Sequence, residues 1–287
     1  MDATPTAYFP KNALISVYNK EGIVEFAQAL IAMGWKIWAS GGTARTLDKA
    51  GLEVHDVADM VGEAILDHRV VTLSREVHAG LLAFRVDTEL AVLEAMGVPF
   101  FDLMCGDFYP LAEAIAKAGA TRESVIAATD IGGPTMVRSA AKGGRIVIAD
   151  PVDRQWVLQL LAHGSGVSAT NRQQLAAKAE MIVSRYVHAS ANYLSEGLYH
   201  AVFGTQVAVC KYGENPWQTP ATHYRTDTDD PLALQHFQQL AGAATSFNNL
   251  GDVDRALQVL THIAAGWLRN FGFLPAIAVG VKHGNAC

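Results

Sequence analysis

The chain has 287 residues, 50% hydrophobic and 17% charged, a globular composition with enough apolar material for a sizeable core and a length that suggests two domains. A formal charge of −6 gives no basic footprint for nucleic acid, although it leaves room for a locally basic cavity that takes a phosphorylated small molecule. Cys105, Cys210 and Cys287 are too widely spaced for a disulfide framework or a zinc site, the opening MDATPTAYFPKN lacks a signal-peptide layout, and no run of about 18 apolar residues exists; a cytoplasmic protein without a membrane span is expected.

Ala13 to Val17 is a short apolar run that reads as a buried strand, and it leads into Tyr18-Asn19-Lys20-Glu21-Gly22. Ile23, Phe26, Ala27, Leu30 and Ile31 then recur at helical spacing. Lys36 to Ala39 is the next strand-like run, ending in Ser40-Gly41-Gly42-Thr43, with a helix from about Ala44 to Gly51. Strand, loop and helix in repetition are the signature of a parallel sheet, whose ligands bind at the carboxyl ends of the strands. Ser16, Lys20, Ser40 and Thr43 fall at such ends and form a candidate phosphate cradle, since hydroxyls, backbone N–H groups and one ammonium suit an anion.

Leu52 to Val57 and the RVVTL run from Arg69 to Leu73 read as further strands. His78 follows in VHAGLL and reads as a packed or surface residue. Glu89 to Met96 and Ala112 to Ala118 read as helices, and Phe101 to Gly106 as an apolar strand ending at Asp107-Phe108-Tyr109-Pro110. Thr129 to Lys142, TDIGGPTMVRSAAK, presents an acid, a glycine pair and Pro134, which is favoured at the start of a helix. The glycines allow close backbone approach and the helix entrance offers N–H groups to an anion; Arg138 and Lys142 share one helix face. An ordinary loop entering an ordinary helix would look the same. A strand at Arg145 to Ala149 and a helix at Arg154 to Ala162 follow.

Gly164 to Ser168 reads as a linker and Asn171 to Leu198 as a long helix connecting two domains. The second region begins near Phe203. It carries Lys211 to Pro216, then Ser246 to Asn249, then a helix through Leu260. Pro275 to Val281 is wholly apolar, reads as a buried strand and delivers Lys282 and His283 at its carboxyl end.

SVYNKEGIVEFAQAL, ASGGTARTL, FYP, DIGGPTMVRSAAK, KYGENPWQ, SFNN and VKHGNAC, in this order and spacing, resemble the bifunctional purine-biosynthesis enzymes that join an IMP cyclohydrolase to an AICAR transformylase. The resemblance runs over nearly the whole chain. It implies an α/β protein with a methylglyoxal-synthase-like parallel sheet, helices on both faces, over residues 1–165. A helical connector over 166–200 and the start of a cytidine-deaminase-like transformylase domain over 201–287 would follow. The family's usual length is about twice that of this chain, so the second region is expected to expose apolar surface and to lack independent transformylase turnover.

The resemblance also implies site residues. The nucleotide phosphate would lie among Ser16, Lys20, Ser40, Gly41, Gly42 and Thr43, and the ring and ribose near Arg69, Thr72, Tyr109, Asp130, Ile131 and Gly132. Tyr109, Asp130 and Lys142 would serve the closure of formyl-AICAR nucleotide to IMP, which needs no metal or redox cofactor. Lys282 and His283 match the transformylase pair, with Lys211 and Asn248 as substrate contacts and 10-formyltetrahydrofolate as co-substrate. A homodimer acting on a small purine nucleotide is implied, with no nucleic-acid or membrane partner. Three positions depart from the family pattern: Val71 replaces a lysine, Asp107 replaces an asparagine, placing a negative charge near the nucleotide, and Lys211 stands where an arginine is usual. The alternative to an active cyclohydrolase is a nucleotide-binding homologue with weak or no catalysis.

Overall fold

The computed structural model describes residues 11–66, 69–163, 166–226, 228 and 230–286, and divides into two compact units between His200 and Ala201. Gly164 and Ser165 of the expected linker, and Cys287, lie outside the described residues. The first unit runs β1 (Lys11–Ser16), α1 (Ile23–Ala32), β2 (Trp35–Ala39), α2 (Gly41–Lys49), β3 (His55–Asp56), α3 (Val57–Val61), α4 (Arg75–Leu82), α5 (Asp87–Ala95), β4 (Phe101–Gly106), α6 (Leu111–Ala116), α7 (Arg122–Ala127), α8 (Gly132–Lys142), β5 (Ile146–Ile148), α9 (Asp153–Ala162) and α10 (Ala169–Leu194).

Its five strands are all parallel, in the order β3-β2-β1-β4-β5. Ala13, Leu14, Ile15, Leu103 and Met104 are buried because helices flank the sheet. Α1 packs on β2 and touches α9, while α8 packs on β4 and β5 and touches α4 and α10. The stripe Ile23, Phe26, Ala27 and Leu30 is the buried face of α1, as its spacing requires. Among the described residues every buried hydrophobic side chain except Cys210 belongs to this unit. No described helix is long and apolar enough to cross a membrane.

Three expectations are corrected. The RVVTL run is not a strand: Ile65 and Val70 form an isolated bridge, Val71 to Ser74 bend, and Ser74 caps α4 by accepting the N–H of Val77 at 3.1 Å. Strand propensity there finds no neighbouring strand to pair with. The long helix expected as a connector instead packs onto β5 and α8, burying Leu175, Ala179 and Val183 against the sheet unit. Its Ser168 cap accepts the N–H of Asn171.

In the second unit, β6 (Gly204–Cys210) and β7 (Ala221–Thr226) form an antiparallel pair, followed by α11 (Phe247–Phe271) and the hairpin β8 (Val281–Lys282) and β9 (Asn285–Ala286). Α11 opens with a reciprocal Ser246–Asn249 cap. None of its residues is buried, and Phe247, Trp267 and Phe271 are exposed. The apolar run before Lys282 is the third correction: residues 275–280 belong to no strand, and only Val281 and Lys282 join one. Without a neighbouring ladder to hydrogen-bond, apolar character alone does not make a strand.

Candidate nucleotide site

The strand order reverses between β1 and β4, and Ser16 lies opposite Gly106 where these two strands end. Such a switch point leaves a crevice beyond the strand ends. A cleft of about 910 Å³ lies there. Ser16 and Ser40 line it from the ends of β1 and β2. Arg69, Val71 and Thr72 come from the bent segment before α4, Tyr109 from the loop after β4, and Asp130 to Gly133 from the entrance of α8. Eight of the residues expected from sequence therefore meet in one cavity: Ser16, Ser40, Arg69, Thr72, Tyr109, Asp130, Ile131 and Gly132.

The phosphate-side residues divide into two groups. The Ser16 and Ser40 hydroxyls are 2.9 Å apart and face the cleft. Thr43 does not: it is buried, accepts the N–H of Val17 at 3.2 Å and donates to the Val17 carbonyl at 3.1 Å. Its hydroxyl pins α2 to the end of β1. Lys20, Gly41 and Gly42 are not among the lining residues: the two glycines open α2, and the Lys20 ammonium lies about 4.0 Å from where a side chain on Gly42 would begin. That ammonium donates to the carbonyls of Val17 and Tyr18. Burial pulls the Lys20 pKa down, Asp107 pulls it up, and Arg45 again down, with a net fall.

Asp107 explains part of this arrangement. Its carboxylate accepts the N–H of Tyr18, and that of Asn19 at 3.3 Å, so it holds the loop after β1. Burial raises its pKa even though both N–H groups, Arg154 and Lys20 favour the charged form. Asp130 behaves alike at the helix entrance, where its carboxylate accepts the N–H of Gly133 at 2.9 Å. The anion site read in the glycine pair is thus already taken by the chain's own acid. Burial raises the Asp130 pKa against the opposing pull of the backbone donors of Gly133, Tyr109 and Gly132. The Asp130 N–H donates to the hydroxyl of Tyr186 on α10 at 2.7 Å.

The glycine pair has a steric cause. A side chain on Gly132 would begin 2.8 Å from the Thr72 hydroxyl, and one on Gly133 would begin 2.8 Å from the Asp130 carboxylate and 3.0 Å from the Phe108 ring. The helix therefore approaches both cleft loops more closely than any other residue allows. It starts at Gly132, two residues before Pro134.

Lys142, expected in the catalytic set, is not brought to the cleft. It is exposed in the last turn of α8, ten residues from Gly132, or about 15 Å along the axis. Arg138, on the same face, pairs with Glu180 of α10 at 3.1 Å. Val71 lines the cleft where the family pattern has its lysine, so Arg69 is the one cation among the lining residues, and its Nε donates to the Leu66 carbonyl at 2.7 Å. Ser190 and Tyr193 of α10 and Glu123 of α7 also line the cleft. Reading α10 as a connector hid the first two. His78 sits at the back of α4, 2.9 Å from the Ser139 hydroxyl of α8, away from the lining.

In the second unit the four expected residues gather around the start of α11. The Lys211 N–H donates to the Thr245 carbonyl at 2.9 Å, and the Asn248 side chain donates to the Glu214 carbonyl at 2.9 Å. Asp252 accepts the N–H of Gly284 at 2.7 Å, which draws the Lys282–His283 turn to the same helix. Lys282 and His283 are both exposed there.

A doubly wound parallel sheet with a polar cleft at its switch point, lined by the half-buried Asp130, defines a methylglyoxal-synthase-like domain, and residues 22–135 match the family model for the MGS-like domain. Residues 140–287 match the model for the AICARFT/IMPCHase bienzyme. The chain belongs to this bifunctional purine-biosynthesis family. It is 41% identical over 289 residues to the bifunctional purine biosynthesis protein PurH of Deinococcus deserti, a match covering 96% of this chain and 54% of that protein. The chain thus spans about half the length of this curated relative. Among solved structures it is similar to ForH, with a TM-score of 0.57 and 34% identity over 66% of this chain and 100% of that one.

Proposed function

We propose that the first unit closes the ring of formyl-AICAR nucleotide to give IMP. The observation that carries the reading is the meeting of Arg69, Thr72, Tyr109 and the Asp130–Gly132 turn in one cleft at the switch point. In this reaction the carboxamide nitrogen attacks the formyl carbon. A C–N bond forms and the formyl oxygen takes up a proton as the attacking nitrogen loses one; the C–O bond then breaks as the hydroxyl takes a second proton and the former formamide nitrogen gives up its own, so that a C=N bond forms and water leaves. The cleft holds the formyl group and the carboxamide, already on one molecule, in the geometry of attack. Tyr109 supplies an O–H donor to the developing oxyanion, and Asp130 accepts the amide proton. Its raised pKa suits it to exchange protons nearer neutrality than an ordinary aspartate does.

With Val71 apolar and Lys142 at the far end of α8, Arg69 is the one cationic side chain among the described residues lining this cleft, and its Nε already donates to the Leu66 carbonyl. The test is direct: purified protein is mixed with formyl-AICAR nucleotide and IMP is followed by absorbance. IMP formation above the uncatalysed rate, reduced by Tyr109→Phe and by Asp130→Asn, is expected. IMP formation no faster than in buffer sinks the reading.

For the second unit the same reading assigns Lys282 and His283 to formyl transfer from 10-formyltetrahydrofolate. Both are solvent-exposed here, and proton shuttling of this kind works best in a water-excluded site. No AICAR formylation by this chain alone is therefore expected; detectable folate-dependent product overturns that. The reading also carries a homodimer, which sedimentation checks.

A further inference from the structure

An anion arriving at the carboxyl end of β1 would meet three donors from the following loop: the N–H groups of Tyr18 and Asn19 and the ammonium of Lys20. All three are already engaged. The two N–H groups donate to Asp107, and the ammonium donates to the Val17 and Tyr18 carbonyls. Asp107 leaves β4 directly after Gly106, which is paired with Ser16, so its carboxylate stands at the switch point itself. Two cations face it, Lys20 from its own loop partner and Arg154 from α9, and the second carboxylate, Asp130, stands within electrostatic range. Arg154 is buried and donates to the Glu21 carbonyl at 2.8 Å. Donors and positive field that would otherwise receive a ligand's phosphate are thus turned onto a side chain.

We propose that Asp107 is a specificity-determining residue: its carboxylate fills the main-chain anion nest beyond β1 and weakens the cleft for a doubly charged phosphate ester relative to the uncharged nucleoside. The inference rests on the reading of this cleft as a purine-nucleotide site. The donors left for a phosphate are the Ser16 and Ser40 hydroxyls and the Gly41–Gly42 backbone, a smaller and uncharged set. Burial raises the Asp107 pKa, while the Tyr18 and Asn19 N–H groups, Arg154 and Lys20 hold the carboxylate in its charged form, the form that repels a second anion.

The test compares IMP with inosine by calorimetry, at one pH and ionic strength, on the full chain and on Asp107→Asn. Asn keeps the size and one oxygen acceptor but removes the charge. Asp107→Asn is expected to tighten IMP about tenfold while changing inosine by less than about twofold. Asp107→Glu keeps the charge and is expected to leave IMP weak. If Asp107→Asn leaves IMP unchanged or weaker, or tightens both ligands equally, the proposal is overturned while the nucleotide reading stands. If neither protein binds IMP or inosine, the nucleotide reading falls and takes the proposal with it. A readout on the unaltered chain guards against misfolded variants: the amide resonances of Tyr18 and Asn19 are expected to stay in place on adding inorganic phosphate. If they are the most displaced signals in the spectrum, Asp107 does not occupy the nest.

Discussion

Val71 and Lys142 stand apart at the residue scale, one lining the cleft and the other remote from it. Val71 lines the cleft where a cation would stabilise the oxyanion, so Val71→Lys is expected to raise kcat for IMP formation at least about tenfold, a conservative share of what one preorganised donor contributes. Lys142 is remote and exposed, so Lys142→Ala is expected to leave kcat within about twofold. Equal losses for Lys142→Ala and Tyr109→Phe would mean that α8 delivers its last turn to the substrate after all. Asp130 also makes a pH prediction. Its folded pKa is raised above the ordinary 3.8, so the folded state binds the proton better than the unfolded chain does. Its contribution to stability is therefore greatest at acid pH and is lost as pH rises through the raised value. Urea denaturation across pH should show the stability difference between Asp130→Asn and the parent moving in the variant's favour over that window. A difference independent of pH would remove the argument.

At the scale of elements, α8 is the piece on which the others converge. Its entrance meets Thr72 and Asp130, its middle meets His78 of α4, and its last turn is followed by Gly143, where a side chain would begin 2.0 Å from the Leu81 carbonyl. That oxygen is backbone and cannot swing away. Gly143→Ala is expected to destabilise the protein by about 3 kcal/mol in urea, at the upper end of overpacking effects. Α4 is held from the other side by Arg145, whose Nε donates to the Leu81 carbonyl at 2.8 Å and whose guanidinium lies 3.8 Å from the centre of the Phe100 ring. The contact between α8 and α10 has a functional edge. Tyr186→Phe removes the acceptor of the Asp130 N–H, costing about 1–3 kcal/mol if that N–H stays unpaired. It should raise KM for formyl-AICAR nucleotide through the loosened helix entrance; an unchanged KM would leave Tyr186 a packing residue.

At the scale of the molecule, the two units are unequal. The first holds the sheet, the cleft and nearly all of the buried apolar side chains, while α11 in the second buries none of its residues. A chain ending at His200 is therefore expected to unfold in one cooperative step and to keep whatever IMP formation the full chain shows. It should also bind less of a hydrophobic dye such as ANS, since Phe247, Trp267 and Phe271 are gone. Loss of activity on this truncation would show that the second unit completes the cleft.

The amino-acid sequence by itself determined the parallel sheet and the strand ends at Ser16, Ala39 and Gly106, which follow from local signals: apolar runs of strand length, helical periodicity and turn residues. The joint membership of Tyr109 and Asp130 in one site came from the family resemblance, not from any local pattern. Tertiary structure alone decided who occupies the donors of the cleft. Asp107 and Tyr18 are 89 residues apart, and Asp130 and Tyr186 are 56 apart, so no local pattern announces that the first acid fills the loop nest or that the second leans on α10. The same holds for the failures. The valines of RVVTL have strand propensity, yet pairing needs a neighbour that the five-stranded order does not place there. Lys142 belongs to the same motif as Asp130, but a helix rises 1.5 Å per residue, and that rise carries Lys142 to the opposite end of α8 from the cleft.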